Sequence, residues 1–313
     1  LTVNSLAIAS RSFSKHPILR METIKRYPSA KFNDEGLSLS GDSLVEFLDG
    51  HEKAITALER IDDSILKRLP ELKVIGKYGV GLDMIDLYAM KKHDVSLGWT
   101  GGVNKRSVSE LVISYSIALL HRTVFANAEV RKGKWYQIKG RQLSDCTVGI
   151  IGCGHVGKDL VRLLEPFNCK ILVYDILNFR DFYTKYKVVP TSLNELIKQS
   201  DVVTLHLPLD KSTKNILDSD KLNLLKNNAI LINLARGGLL DEFALKKMLL
   251  DKKIAGAALD VFEVEPQIDF SFSTMDNVLI TPHIGGSTEE AILAMGMAAI
   301  EGLENSRDPL DFL

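Results

Sequence analysis

The feature that most constrains the fold is an apolar run, Thr147-Val148-Gly149-Ile150-Ile151, that leads directly into Gly152-Cys153-Gly154-His155-Val156-Gly157 and then an amphipathic stretch. A strand, a G-x-G-x-x-G turn and a helix in that order open a dinucleotide-binding βαβ unit. Gly152 suits the tight turn, Gly154 lets the backbone approach a pyrophosphate, and Gly157 lets helix and strand pack closely. The free N–H groups and positive end of the helix then serve the phosphates, with His155 and Val156 as neighbouring candidate contacts. Eighteen residues beyond Gly157, the run Ile171-Leu172-Val173-Tyr174 ends in Asp175. A carboxylate there accepts from ribose hydroxyls and repels a 2′-phosphate, so the expected cofactor is NAD rather than NADP.

The same strand–helix rhythm runs along the whole chain. Residues 6–9, 54–55 and 73–76 read as buried strands, and Gly41–Leu48, 62–69 and 83–92 as helices. Asp62 and Asp63 stand where an N-cap is expected, and Pro70 marks that helix's exit. A second series has strands at Thr147–Ile151, Lys170–Tyr174, 202–206, 229–233, Gly256–Leu259 and 277–280. Helices at 157–165, 192–200 and 241–251 separate them, and 287–306 is helical and expected to return to the first domain. Such alternation implies an α/β protein with two doubly wound parallel sheets. Between the two series, 107–132 reads as one long helix, apolar at Val108, Leu111, Val112, Tyr115, Leu119 and Leu120. That arc is too wide for a surface helix, leaving two readings: a bridge between domains that joins a subunit interface, or a plain core helix.

Bulk properties exclude several classes. A chain of 313 residues favours two domains, and a net charge of -1 argues against a nucleic-acid partner. The apolar run 111–120 is interrupted by Ser114, Tyr115 and Ser116, so no membrane span is expected. The opening Leu1-Thr2-Val3-Asn4 lacks the basic-then-apolar pattern of an export signal, and it lacks an initiator Met. Cys146, Cys153 and Cys169 show no C-x-x-C spacing and read as reduced thiols of a cytoplasmic protein, with no metal site expected.

Three later segments each deliver one polar residue just past a strand: Leu234-Ala235-Arg236-Gly237-Gly238, Val261-Phe262-Glu263-Val264-Glu265-Pro266 and Thr281-Pro282-His283-Ile284-Gly285-Gly286. An arginine fork suits a planar carboxylate. A histidine suits proton transfer near neutral pH, and a carboxylate can orient its ring. With a nicotinamide, these parts suffice to reduce a 2-keto acid or oxidise a 2-hydroxy acid.

Together with His206-Leu207-Pro208-Leu209 and Asp260, these segments resemble the D-isomer-specific 2-hydroxyacid dehydrogenases over essentially the whole chain. The resemblance implies a Rossmann NAD domain, residues 98–283, inserted into a flavodoxin-like substrate domain made of 1–97 and 284–313, with the active site in the cleft. It implies that Arg236 binds the substrate carboxylate, His283 is the general acid/base and Glu265 pairs with it. Glu263 is the decoy, because the family places the working carboxylate immediately before the proline. Asp260 would hold the nicotinamide carboxamide, and His206, Pro208 and Ala235 fall in cofactor-contacting segments. A homodimer is expected.

On the substrate side, Lys77-Tyr78-Gly79-Val80-Gly81-Leu82-Asp83 can form an N–H nest for the substrate carboxylate, and the resemblance, which places this loop against that carboxylate, implies Val80 and Gly81 as contacts. The sequence is most similar to the phosphoglycerate dehydrogenase branch, where Lys77 would meet a phosphate. It departs from that branch at Thr56-Ala57, where a basic residue is expected, and its end at Leu313 leads to the expectation of no regulatory domain. Hydroxypyruvate or glyoxylate reduction is the second substrate reading. A reading of another class, an NAD(H)-sensing scaffold like the corepressors of this fold, has no specific motif behind it.

Overall fold

The computed structural model describes residues 5–266 and 270–313, so the opening residues read for an export signal lie outside the described residues. Two compact units emerge, one of Leu1–Asn104 with Glu289–Leu313, the other of Lys105–Thr288. These boundaries fall later than the sequence places them, for local reasons. The Trp99 indole donates to the Val80 carbonyl at 3.0 Å and packs edge-on against Phe312, which keeps residue 99 with the first unit. Ile284 and Gly285 donate their N–H groups to Asp260, which keeps that loop with the second.

The first unit carries β1 (Leu6–Ile8), α1 (Arg11–Lys15), α2 (Pro17–Arg26), β2 (Lys31–Phe32), α3 (Gly41–Leu48), β3 (Lys53–Thr56), α4 (Asp63–Leu66), β4 (Val74–Lys77), α5 (Leu87–Lys92) and β5 (Ser96–Gly98). The strands form a parallel sheet in the order β2-β1-β3-β4-β5, the flavodoxin-like arrangement. Side chains alternate across a strand, so each face builds its own core. Leu6, Ile8 and Ile55 enter one cluster, Ala7, Ala9 and Ala54 the other. Asp62 caps α4 by accepting the Ser64 N–H at 3.0 Å, but that helix ends at Leu66, short of the expected 69.

The second unit begins with α6 (Lys105–Leu120) and α7 (Thr123–Arg131). One continuous helix was expected here; the chain instead breaks at Arg122, whose φ of 53° is left-handed, and the two helices diverge by 60°. There follow β6 (Thr147–Ile151), α8 (His155–Leu164), β7 (Lys170–Tyr174), α9 (Arg180–Tyr186), β8 (Val189–Pro190), α10 (Leu193–Gln199), β9 (Val202–Leu205), α11 (Ser219–Leu222), β10 (Ile230–Asn233), α12 (Glu242–Leu250), β11 (Gly256–Leu259) and β12 (Val278–Ile280). Seven parallel strands, one more than expected, lie in the order β12-β11-β10-β9-β6-β7-β8. Apolar side chains again divide by parity: Val148, Ile150, Ile230 and Ile232 face one cluster, Ile151, Leu205, Leu231 and Leu259 the other. Such fully buried strands read as continuous apolar runs.

The last helix, α13 (Glu289–Gly302), belongs to the first unit, where Ala299, Ile300 and Leu303 cover the Leu6–Ile8–Ile55 face of the sheet. It stops four residues before the expected 306, after which Leu97 and Arg307 exchange two backbone hydrogen bonds at 3.0 Å. No single helix among the described residues is long and apolar enough to cross a membrane.

Candidate active site

Ligands of open parallel sheets bind beyond the strand carboxyl ends, where the strand order reverses. In the second unit that point lies between β6 and β9. The chain leaves β6 through Gly152 and β9 through His206, and the two turns are locked together: the His206 N–H donates to the Ile151 carbonyl at 2.7 Å. Gly152 has φ of 98°, and a side chain on it would strike the His206 carbonyl at 2.5 Å. A Cβ on Gly157 would come within 2.2 Å of the Gly152 carbonyl, whereas one on Gly154 would meet nothing within 4 Å. The backbone is therefore packed on the sheet side and open at the N-terminus of α8, as a pyrophosphate requires. His155 is exposed there and Val156 half-buried.

Asp175 stands one residue past β7. Its Oδ2 accepts the Cys153 N–H at 2.6 Å and its Oδ1 the Leu177 N–H at 2.8 Å, fixing the carboxylate against the glycine turn. The Cys153 thiol is buried and pushed up to about 11, so it stays unreactive. Desolvation drives the His206 imidazole down to about 3, so it is neutral, and it bonds Thr204 Oγ1 at 3.0 Å. Pro208 is exposed, and its carbonyl accepts from Thr213 Oγ1 at 2.7 Å.

Arg236, Glu265 and His283 follow β10, β11 and β12 respectively. The structure joins two of them directly: His283 Nδ1 meets Glu265 Oε2 at 2.7 Å. The other Glu265 oxygen accepts the Phe262 N–H at 2.9 Å, so the carboxylate bridges its own loop and the imidazole. Glu263 is exposed, and its backbone N–H donates to Glu242 Oε1 at 2.6 Å. Burial pushes the Glu242 carboxyl above its ordinary range, with the charges of Glu263 and Glu265 adding to the effect. Half-buried Arg236 donates from Nη1 to the Ala235 carbonyl at 2.7 Å, and Asn233 braces this turn by accepting the Ala235 N–H and donating to the Arg236 carbonyl. Gly237 lies against the Glu265 loop so closely that a Cβ would sit 2.0 Å from the Phe262 carbonyl carbon. Asp260, 1% exposed, takes the Ile284 and Gly285 N–H groups at 2.8 and 2.7 Å. Sequence reasoning did not assign Glu242, Ser107, Tyr115 or Thr281, whose contacts are long-range; only Thr281 lay inside a quoted motif.

In the first unit, Lys77 is the last residue of β4 and 4% exposed. Its ammonium donates to the Ala57 carbonyl. The Ala57 N–H in turn donates to Glu59 Oε2 at 2.6 Å, and the Thr56 hydroxyl beside Lys77 is buried without a hydrogen-bond partner. Val80 and Gly81 are half-buried in the following loop.

A sequence profile of the D-isomer specific 2-hydroxyacid dehydrogenase NAD-binding domain matches residues 113–285, more than half of the chain. The chain is 36% identical over 270 residues to D-3-phosphoglycerate dehydrogenase of Methanocaldococcus jannaschii, covering 85% of this chain but only about half (52%) of that relative. It is 34% identical over 252 residues to hydroxypyruvate reductase of Thermotoga maritima, covering 79% of this chain and 81% of the relative. The solved structure of Aquifex aeolicus D-lactate dehydrogenase, complexed with NAD and lactic acid, matches with a TM-score of 0.85 at 27% identity over 96% of this chain and 94% of that one. Fold and sequence thus define a two-unit α/β protein with an NAD-binding Rossmann unit. The chain belongs to the D-isomer-specific 2-hydroxyacid dehydrogenase family of NAD-dependent oxidoreductases, and NAD is its cofactor.

Proposed function

We propose that the chain interconverts a small 2-keto acid and its D-2-hydroxy acid, with NAD(H) as the redox partner. The 2.7 Å pair of His283 and Glu265 carries this reading. A carboxylate only accepts, so Nδ1 bears the hydrogen shared with Glu265, and Nε2 is left to handle the substrate proton. In reduction, Nε2 gives its proton to the oxygen of the substrate carbonyl; in oxidation it takes the hydroxyl proton. Glu265 fixes the tautomer and orientation of the ring through this hydrogen bond. Bound NADH supplies the hydride, and NAD receives it in the reverse direction. Arg236 holds the substrate carboxylate through its guanidinium fork. The glycine turn, Asp175 and the residues after β9 and β10 hold the cofactor, and Asp260 has one lone pair left for its carboxamide.

Among substrates, the surroundings of Lys77 favour an unphosphorylated acid such as hydroxypyruvate or glyoxylate over 3-phosphohydroxypyruvate. The Lys77 ammonium is nearly sequestered on the Ala57 carbonyl, a Glu59 carboxylate lies on the same turn, and Thr56 brings no charge. A doubly charged phosphate finds little compensation there. Following NADH consumption with glyoxylate, hydroxypyruvate, pyruvate and 3-phosphohydroxypyruvate tests the reading. Turnover of hydroxypyruvate or glyoxylate above the phosphorylated acid is expected. Turnover of none would refute the dehydrogenase reading.

A further inference from the structure

Asp260 follows β11 in the interior, yet three donors converge on its side chain. Thr281 Oγ1 and the Ile284 N–H reach Oδ1 at 2.6 and 2.8 Å, and the Gly285 N–H reaches Oδ2 at 2.7 Å. The Asp260 carbonyl also accepts the His283 N–H at 2.9 Å. Thr281 has one hydroxyl hydrogen, and a carboxylate can only accept it. The second contact on that hydroxyl, Tyr115 Oη at 2.7 Å, must therefore be donated by the tyrosine. Burial raises the Tyr115 phenol above its ordinary pKa, with the Asp260 charge adding, which keeps that hydrogen in place.

The chain of donors thus runs from Tyr115 on α6 through Thr281 into Asp260. Eight residues earlier on the same helix, Ser107 donates to the Gly285 carbonyl at 2.6 Å. One helix therefore grips the loop before and after His283. That loop holds His283 at φ of 53°, a backbone conformation that a side chain other than glycine keeps only where surrounding contacts impose it. The imidazole itself is paired with Glu265, so these contacts act on its backbone.

We propose that Tyr115 and Thr281, acting through Asp260, are positioning residues for His283: they set the loop that aims its Nε2 at the substrate oxygen. The proposal rests on the acid/base role given to His283 above. Its contribution belongs to orientation, where small displacements of a reacting group cost large factors in rate.

The test compares Thr281→Val, Thr281→Ser and Tyr115→Phe in the full chain. For each, kcat and KM with the best keto acid, the Kd for NADH from fluorescence, the pH profile of kcat and the NMR titration of the His283 imidazole are measured. Thr281→Val should lower kcat by about ten- to a hundredfold, leave the NADH Kd within about threefold, and displace the His283 titration and the kcat profile together. Thr281→Ser, which keeps the hydroxyl, should restore all three, and Tyr115→Phe should fall between. Unchanged kcat in Thr281→Val, a serine variant no better than valine, or a loss confined to the NADH Kd would overturn the proposal. If the unmodified chain reduces no 2-keto acid, the function reading fails by itself. The His283 titration then still decides the positioning role.

Discussion

Glu265 touches His283 through one oxygen and its own loop through the other, at 2.7 Å to Nδ1 and 2.9 Å from the Phe262 N–H. The carboxylate is thereby held even when the imidazole changes charge, because the backbone donor stays in place. His283 and Glu265 follow different strands, and Gly237 brings the arginine turn against the same Phe262-Glu263 backbone.

Replacing His283 by Ala should remove the proton-handling group and leave the cofactor turn untouched. We expect kcat to fall roughly 10²–10⁴-fold, the usual worth of general acid/base catalysis, with NADH affinity nearly unchanged. Steady-state kinetics with NADH titrated by fluorescence checks both halves, and full activity would remove His283 from the role.

Asp175→Ala should weaken discrimination between NADH and NADPH. The variant loses the acceptor proposed for the ribose hydroxyls and also the acceptor of the Cys153 and Leu177 N–H groups, so KM for NADH should rise roughly ten- to a hundredfold. Equal kcat/KM with both cofactors in the unmodified chain would contradict the assignment.

Lys77→Ala separates the two substrate readings. With the ammonium bound to the Ala57 carbonyl, its loss should loosen the turn and reduce kcat/KM for hydroxypyruvate and 3-phosphohydroxypyruvate by similar factors. A selective loss of about ten- to a hundredfold on the phosphorylated acid would restore the phosphoglycerate reading.

His206 predicts an acid limb in stability. Its native pKa of about 3 lies below the ordinary value of about 6.5, so between these pH values the unfolded chain binds a proton that the native chain refuses. The stability from burying the neutral ring is complete above pH of about 6.5 and is lost as the pH falls, at up to about 1.4 kcal/mol per pH unit for one proton. Urea unfolding between pH 5 and 7 should show that slope, flattened in His206→Asn. An identical slope in the variant would assign it to other groups.

Elements with both a local apolar pattern and local end signals were legible in the sequence. Gly41–Leu48, Thr147–Ile151, Lys170–Tyr174 and Gly256–Leu259 occupy the residues read for them. The helix 192–200 was misjudged only by counting its caps, Ser192 and Ser200. By contrast, α2 buries only Leu19 and Thr23 while Ile18, Met21 and Ile24 stay exposed, so its apolar residues define no single face and it went unread. The break at Arg122 has no glycine or proline to announce it, because the left-handed φ falls on an exposed arginine. Lys77 read as a loop residue, yet β4 extends through it and buries it. Tyr115 and Thr281 are 166 residues apart, and no periodicity links them.

The return of α13 to the first unit also sets an order of assembly. Every strand of the five-stranded sheet is synthesised within the first 98 residues, but Ala299, Ile300 and Leu303, which help shield one of its faces, emerge only after the seven-stranded unit. During translation the seven-stranded unit has its whole core before the earlier-made sheet is covered, so the part made first matures second. Until then the face of Leu6, Ile8 and Ile55 has Phe13, Leu19 and Tyr78 against it but lacks the α13 side chains. A chain ending at residue 288 should accordingly keep 105–288 resistant to protease while 5–104 is cut, and equal resistance of both parts would rule this order out.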